Sequence, residues 1–205
     1  MRLYFVRHAQ TEWNANGKAQ GHSDVPLSEV GKRQARLLCE RLAEWEPVPI
    51  LSSDLRRARD TVAALEASGW SIETDARLRE RNLGEWEGRS FEWIGEETDR
   101  RAAEQGVPRA AVRPAGGESQ VDTIERARTV AGWLSGLNTP RLVASHRLFI
   151  SQVIGCLLGG MAPRSFHFEN TGLTELARHP EGFWQVLRHN DIKHLEVGNG
   201  ALTAR

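Results

Sequence analysis

Short apolar runs alternate with stretches of helical periodicity along this chain, and that alternation restricts it to layered α/β folds. Leu3-Tyr4-Phe5-Val6 reads as a buried strand over about residues 2–6. Ile50-Leu51-Ser52-Ser53, residues 71–74 and Arg141-Leu142-Val143-Ala144-Ser145 read as three more. Between the first two, Gly31, Ala35, Leu38, Leu42 and Trp45 fall at helical spacing, behind Ser28 as N-cap and ahead of Pro47 and Pro49. A second helix is expected to start at a cap on Asp54, to bury Ala58, Val62 and Leu65, and to end near Gly69. Ser119 caps a third, with Ile124, Ala127, Ala131 and Leu134 on one face. The nearly all-apolar run from Leu148 to Leu158 reads as a deeply packed helix closed by Gly159-Gly160. Leu173 to Ala177 and Trp184 to Arg188 alternate like two strands joined by a Pro-Glu-Gly turn. The expected architecture is a three-layer α/β sandwich, a mostly parallel sheet with helices on both faces.

A chain of 205 residues favours one domain, here residues 1–198, followed by a frayed tail over 199–205. Residues 89–113 are charged and weakly patterned, and read as a short helical insert or lid. Lys+Arg and Asp+Glu both number 27, which argues against a general binder of nucleic acid or of a membrane surface. Cys39 and Cys156 lie in apolar helical patterns without CxxC spacing, as reduced core residues do. No secretory signal pattern and no apolar run of about 20 residues is present, so a cytoplasmic location is expected. The sequence leaves open whether the chain pairs as a homodimer.

The ends of three strands carry chemistry. The first runs into Arg7-His8, the second into Ser52-Ser53-Asp54-Leu55-Arg56-Arg57, and the fourth into Ser145-His146. If those strands are parallel, all three groups share one sheet edge, where α/β sheets bind ligands. Arginine offers a rigid fork of donors for phosphate or carboxylate, and a neutral imidazole is a nucleophile near pH 7. Two cations and two imidazoles at one point suit a transferring phosphoryl group. The sequence has no HExxH, no DxDxDG loop, no paired Asp motif and no GxxxxGK[ST]. The arginines are therefore read as supplying the charge that a metal ion supplies elsewhere, with neither metal nor cofactor expected.

Arg7-His8-Ala9 with Thr11 and Asn14 resembles the RHG signature of the histidine phosphatase superfamily, which includes the cofactor-dependent phosphoglycerate mutases. The resemblance extends through Asp24-Val25-Pro26-Leu27-Ser28 with Gly31 and Gln34-Ala35, and through Ser53-Asp54-Leu55-Arg56-Arg57-Ala58 with Thr61. Leu78-Arg79-Glu80, Gly84-Glu85-Trp86-Glu87-Gly88, Gly116-Gly117-Glu118-Ser119, Asn170-Thr171 and Asn190-Asp191 with His194-Leu195 continue it in order over about residues 2–196. It implies a phosphoglycerate mutase-like fold and a small phosphorylated substrate. His8 would attack phosphorus through one ring nitrogen while a backbone carbonyl holds the other N–H. Arg7, Arg57 and His146 would complete the phosphate pocket. Glu80 would protonate the leaving oxygen. Asn14, Gln20, Gly21 and Arg147 would approach substrate. Arg56, Glu85 and Glu87 are read as solvated instead, and His22, His167, His179, His189 and His194 as structural or exposed. Trp13 and Trp86 are read as core residues or pocket lining. Arg100, Arg101, Arg109 and Arg113 either greet anionic substrates or form a solvated face.

Two positions depart from the family pattern. Ala9 and Arg147 both stand where glycine is usual. Glycine after the second histidine lets the backbone approach phosphate with an unusual φ. Arg147 is expected to offer its N–H, to add a cation, or to crowd the pocket. The implied activity is metal-independent phosphomonoester hydrolysis through a phosphohistidine. Phosphoglycerate mutase is the alternative, though mutases of the family usually carry a larger insert near 89–113. A non-catalytic phospholigand-binding protein of this fold is a third reading, supported by Arg147 alone.

Overall fold

The structure is a computed structural model that describes residues 1–160 and 166–196. The frayed tail expected over 199–205 lies outside the described residues. β1 (Arg2–Arg7), β2 (Ile50–Ser52), β3 (Ile72–Thr74) and β4 (Arg141–Ser145) form the parallel part of a six-stranded sheet. β5 (Leu173–Arg178) and β6 (Trp184–Asp191) extend it antiparallel, in the order β3-β2-β4-β1-β5-β6. Among the described residues six α-helices accompany the strands: α1 (Glu12–Ala15), α2 (Glu29–Leu42), α3 (Arg56–Val62), α4 (Phe91–Gln105), α5 (Gln120–Ser135) and α6 (Arg147–Leu157).

Strand alternation builds the three layers. Leu3 and Phe5 of β1, Leu51 of β2 and Val143 of β4 pack with α5 and α6 on one face. Val6, Ile50, Leu142 and Ala144 pack with α2 and α3 on the other. Successive strand side chains point to opposite faces, so one short apolar run serves two cores. Among the described residues no helix is long and apolar enough to cross a membrane.

Register brings the three strand ends together. Arg7 pairs with Ser145 and Ser52 with Ala144, so His8, Ser53 and His146 leave the sheet side by side. His8 N–H donates to the Ser145 carbonyl at 2.9 Å, and Ser53 N–H to the Ala144 carbonyl at 2.9 Å.

Three local expectations need correction. Asp54 does not cap α3. The N-cap position is Leu55, which has no side-chain cap, and Asp54 instead binds Arg79 bidentately at 2.7 and 2.6 Å. The first N–H of α3, on Arg56, is met from outside by Asp24 Oδ1 at 2.8 Å. α2 ends at Leu42, not Trp45, whose ring sits edge-on to Tyr4 at 5.2 Å. Ring packing on the sheet outweighs continued helical spacing there. Beyond Val62, α3 tightens into a 3-10 turn over Ala63–Ser68 before Gly69 closes it with φ 84°.

Candidate active site

The nucleophile candidate is held from every side. His8 is buried, and its Nδ1 lies 2.7 Å from the carbonyl oxygen of Ala9. That contact keeps the proton on Nδ1 and leaves the Nε2 lone pair free. The His8 carbonyl accepts from Asn170 Nδ2 at 2.8 Å, and Ala9 N–H donates to Thr61 Oγ1 at 2.8 Å. Thr61 passes the bond on to the Arg57 carbonyl at 2.6 Å. Burial, then the charges of Arg57 and Arg7, hold the His8 imidazole well below its ordinary pKa. The ring is therefore neutral at physiological pH.

The loop that follows is welded to α2. Gln10 N–H donates to Gln34 Oε1 at 2.9 Å, and Ser28 N–H to the Gln10 carbonyl at 2.9 Å. A Cβ on Gly31 would stand 1.9 Å from that same carbonyl oxygen, so only glycine permits the approach.

Two guanidiniums flank His8. Arg57 is fully buried and donates to the carbonyls of Gly21 at 2.7 Å and Ser23 at 2.8 Å. Its Nε reaches His146 Nδ1 at 3.3 Å. Arg7 donates to the Phe168 carbonyl at 2.7 Å, and its buried Nε has no partner among the described residues. Burial lowers both guanidiniums to about 10, helped at Arg7 by the charge of Arg147 and opposed at Arg57 by Glu80. Both stay charged at neutral pH. Buried charges are ordinarily paired with an opposite charge. Neutral carbonyls hold these two, which leaves their charge available to an anion.

His146 and its helix complete the cluster. Its ring centroid lies 5.2 Å from that of His8, and its Nε2 lies 2.9 Å from Ser53 Oγ. His146 is the N-cap residue of α6 and makes no side-chain cap bond. Glu80 supplies one from across the loop: Oε2 accepts Leu148 N–H at 3.2 Å, and Oε1 accepts Arg81 N–H at 2.9 Å. The Glu80 carbonyl is itself held by His22 Nε2 at 2.9 Å and Arg126 Nη2 at 3.1 Å.

The remaining candidates divide. Gln20 is buried with Oε1 unpartnered among the described residues. Asn14 Oδ1 closes a capping box by accepting from the N–H and Oγ1 of Thr11, both at 3.1 Å. Gly21 has a φ of +53°, its carbonyl holds Arg57, and a Cβ would press on Glu87. Arg147 has no positive φ: it is the first residue of α6, exposed, with its guanidinium 5.6 Å from the Phe91 ring centre. The φ that glycine would allow is not used at this position.

Arg56 is exposed, as expected, and Trp86 is fully buried. Glu85 and Glu87 are not idle solvated groups. Glu85 pairs with Arg101 at 2.8 Å, and Glu87 accepts from His22 N–H at 2.6 Å and Ser23 Oγ at 2.5 Å. The four arginines read either as greeting anionic substrates or as a solvated face are all engaged: Arg100 with Glu97 and Glu104, Arg101 with Glu85 and Glu97, Arg109 with Asp99, and Arg113 with Asp122. Carboxylates within one turn or on the adjoining loop compensate them.

Several residues matter here that sequence reasoning gave no role. Thr61 and Asn170 sit inside the matched motifs but carry no chemistry of their own; they fix the backbone around His8. Arg126 offers no signal in the sequence. It threads under the 77–80 loop, bonding the Arg77, Arg79 and Glu80 carbonyls and the Glu118 carboxylate.

The family model for the histidine phosphatase superfamily (branch 1) matches residues 3–192. A glucosyl-3-phosphoglycerate phosphatase from Mycolicibacterium vanbaalenii is 38% identical over 169 residues, 77% of this chain and 74% of that protein. A probable phosphoglycerate mutase GpmB from Klebsiella pneumoniae is 32% identical over 210 residues, 96% of each. The solved structure of a mycobacterial glucosyl-3-phosphoglycerate phosphatase with VO3 aligns with TM-score 0.74 and 32% identity, covering 92% of this chain and 98% of that one. By sequence over nearly its whole length and by fold, the chain belongs to the histidine phosphatase superfamily.

Proposed function

We propose that this chain is a phosphomonoesterase of small phosphorylated metabolites that works through a phosphohistidine on His8. One observation carries the reading. A neutral imidazole with a free Nε2 lone pair stands between two guanidiniums, that of Arg57 fully buried, which among the described residues have no carboxylate in direct contact. An ester phosphate supplies the missing anion, and the same donors stabilise the charge on its oxygens as the bond breaks. Arginines in these positions do the electrostatic work without a metal ion.

In the first step Nε2 of His8 forms a bond to phosphorus, and the bond from phosphorus to the alcohol oxygen breaks. Glu80 gives that oxygen its proton. In the second step Glu80 takes a proton from water, the water oxygen bonds to phosphorus, and the N–P bond breaks, returning the electron pair to Nε2. Arg7 and Arg57 hold the phosphoryl oxygens throughout, joined by the N–H of Arg147 at the start of α6 and by His146, whose Nε2–H moves from Ser53 Oγ to a phosphoryl oxygen when the ester binds. Phosphatase-named relatives support hydrolysis over mutase chemistry.

The test is phosphate release from a panel of phosphomonoesters, with and without EDTA, alongside His8→Ala. Release that resists EDTA, disappears in the variant and passes through an acid-labile phosphoenzyme is expected. Equal rates in wild type and variant would refute the mechanism. Incubation with 3-phosphoglycerate and 2,3-bisphosphoglycerate separates hydrolysis from mutase turnover by product.

A further inference from the structure

We propose that Arg147 determines specificity by binding a second anionic group, a carboxylate or a second phosphate, carried on the leaving alcohol of the phosphoester. This inference rests on the reading of the chain as a phosphomonoesterase and narrows its substrate class.

Position is the first support. Arg147 follows His146 directly and opens α6, so its backbone is part of the pocket rim while its side chain is exposed. Availability is the second. Arg7 and Arg57 are bound to carbonyls, and the arginines around α4 are paired with carboxylates. Among the described residues the Arg147 guanidinium has neither a hydrogen bond nor an ion pair, and it lies over the face of Phe91. A guanidinium on an aromatic face keeps its in-plane N–H donors free, and that planar fork matches a carboxylate or phosphate bidentately.

Proximity is the third. After burial, Arg147 influences Arg7 more than Glu80, Glu169 or Arg57 does. One cation repelling another at a pocket rim is unfavourable in the free protein, and an ester with a second anionic group relieves it. Phe91 stands at the start of α4, a helix with no buried residue, and is 55% exposed. It gives Arg147 a resting place that a bound anion can compete with, since an exposed cation–π contact is worth little.

The experiment compares three esters with the same reacting phosphate: propyl phosphate, the phosphate ester of 3-hydroxypropanoate, and propane-1,3-diyl bisphosphate. Wild type is expected to favour one or both anionic leaving groups over propyl phosphate in kcat/KM, and the ester favoured identifies carboxylate or phosphate. In Arg147→Met that preference falls about ten- to a hundredfold, the range of a charge-assisted hydrogen bond, while Arg147→Lys keeps part of it. Loss of activity by the same factor on all three esters, or an unchanged preference, overturns the proposal. Thermal melts confirm that the variants are folded. Calorimetric binding of the same esters, in the His8→Ala background with and without Arg147→Met, needs no turnover. If wild type hydrolyses none of the esters, the phosphatase reading fails, and the binding preference still decides the role of Arg147: its presence upholds the role and its absence overturns it.

Discussion

Arg57 and His146 meet nitrogen to nitrogen, with Nε of the arginine donating to Nδ1 of the imidazole at 3.3 Å. An arginine Nε always carries its hydrogen, so Nδ1 must accept. The neutral His146 ring then bears its proton on Nε2 and donates it to Ser53 Oγ at 2.9 Å. Burial, then the charge of Arg57, keeps the ring neutral. In Arg57→Lys one ammonium replaces a fork that holds Gly21, Ser23 and His146 together. A fall in kcat of about a hundred- to thousandfold is expected. Nitrogen NMR of His146 should show the Nε2–H tautomer dominant in wild type and mixed in the variant.

Asn170 fixes the backbone of the nucleophile through the His8 carbonyl, and both groups are buried. Asn170→Ala leaves that oxygen unsatisfied, which costs about 1–3 kcal/mol. Denaturant unfolding should register the loss. kcat should fall while KM for phosphoesters changes less, because the phosphate donors stay in place.

Gly31→Ala places a methyl group against the Gln10 carbonyl. Overpacking of this kind costs about 1–3 kcal/mol. The stability loss should appear as a lower urea midpoint at constant slope. Activity should drop too, because the strain is applied to the segment that leads back to His8.

Three buried histidines set the acid limb of stability. His8 and His146 lie well below the ordinary imidazole value, and His194 is lowered to about 4, each mainly by burial. Above about pH 6.5 both folded and unfolded rings are neutral, and pH has no leverage through them. Below that, the unfolded chain takes up protons that the folded chain refuses. Stability therefore falls with acid, by about 1.4 kcal/mol per pH unit for each ring until its folded pKa is reached. Urea titrations at pH 7, 6 and 5 should show progressive loss. His194→Gln should reduce the slope between pH 6.5 and 4.

The strands and their polar ends were legible because period-two and period-3.6 patterning, with breaks at Gly and Pro, is written locally. The motifs that carry the family resemblance pointed to Arg7, His8, Arg57, His146 and Glu80, which the fold brings to one sheet edge, and the roles given to them are those the resemblance implies. Side-chain partners were not. Asp54 satisfies the local grammar of an N-cap, yet Arg79 on a neighbouring loop competes for its carboxylate and wins it bidentately. Gly21 looked like an approach to substrate, and its carbonyl turns toward Arg57. Arg126 stands in no motif, and it fastens the loop that carries Glu80.

The sequence by itself determined the layered α/β class and the kind of chemistry. Both follow from short-range order: apolar periodicity, and the identity of the residues at each strand end. Only the tertiary structure decided which charges are spent and which are free. Among the described residues Arg100, Arg101, Arg109 and Arg113 are paired with carboxylates on or beside α4 and at the start of α5, whereas the Arg147 guanidinium, one residue past His146, has no ion pair and lies over the face of Phe91. Charge placement depends on where folding sets each cation's neighbours, within one helix for Arg100 and between distant segments for Arg57 and His146, and the second kind of distance exists only once the sheet has set its register.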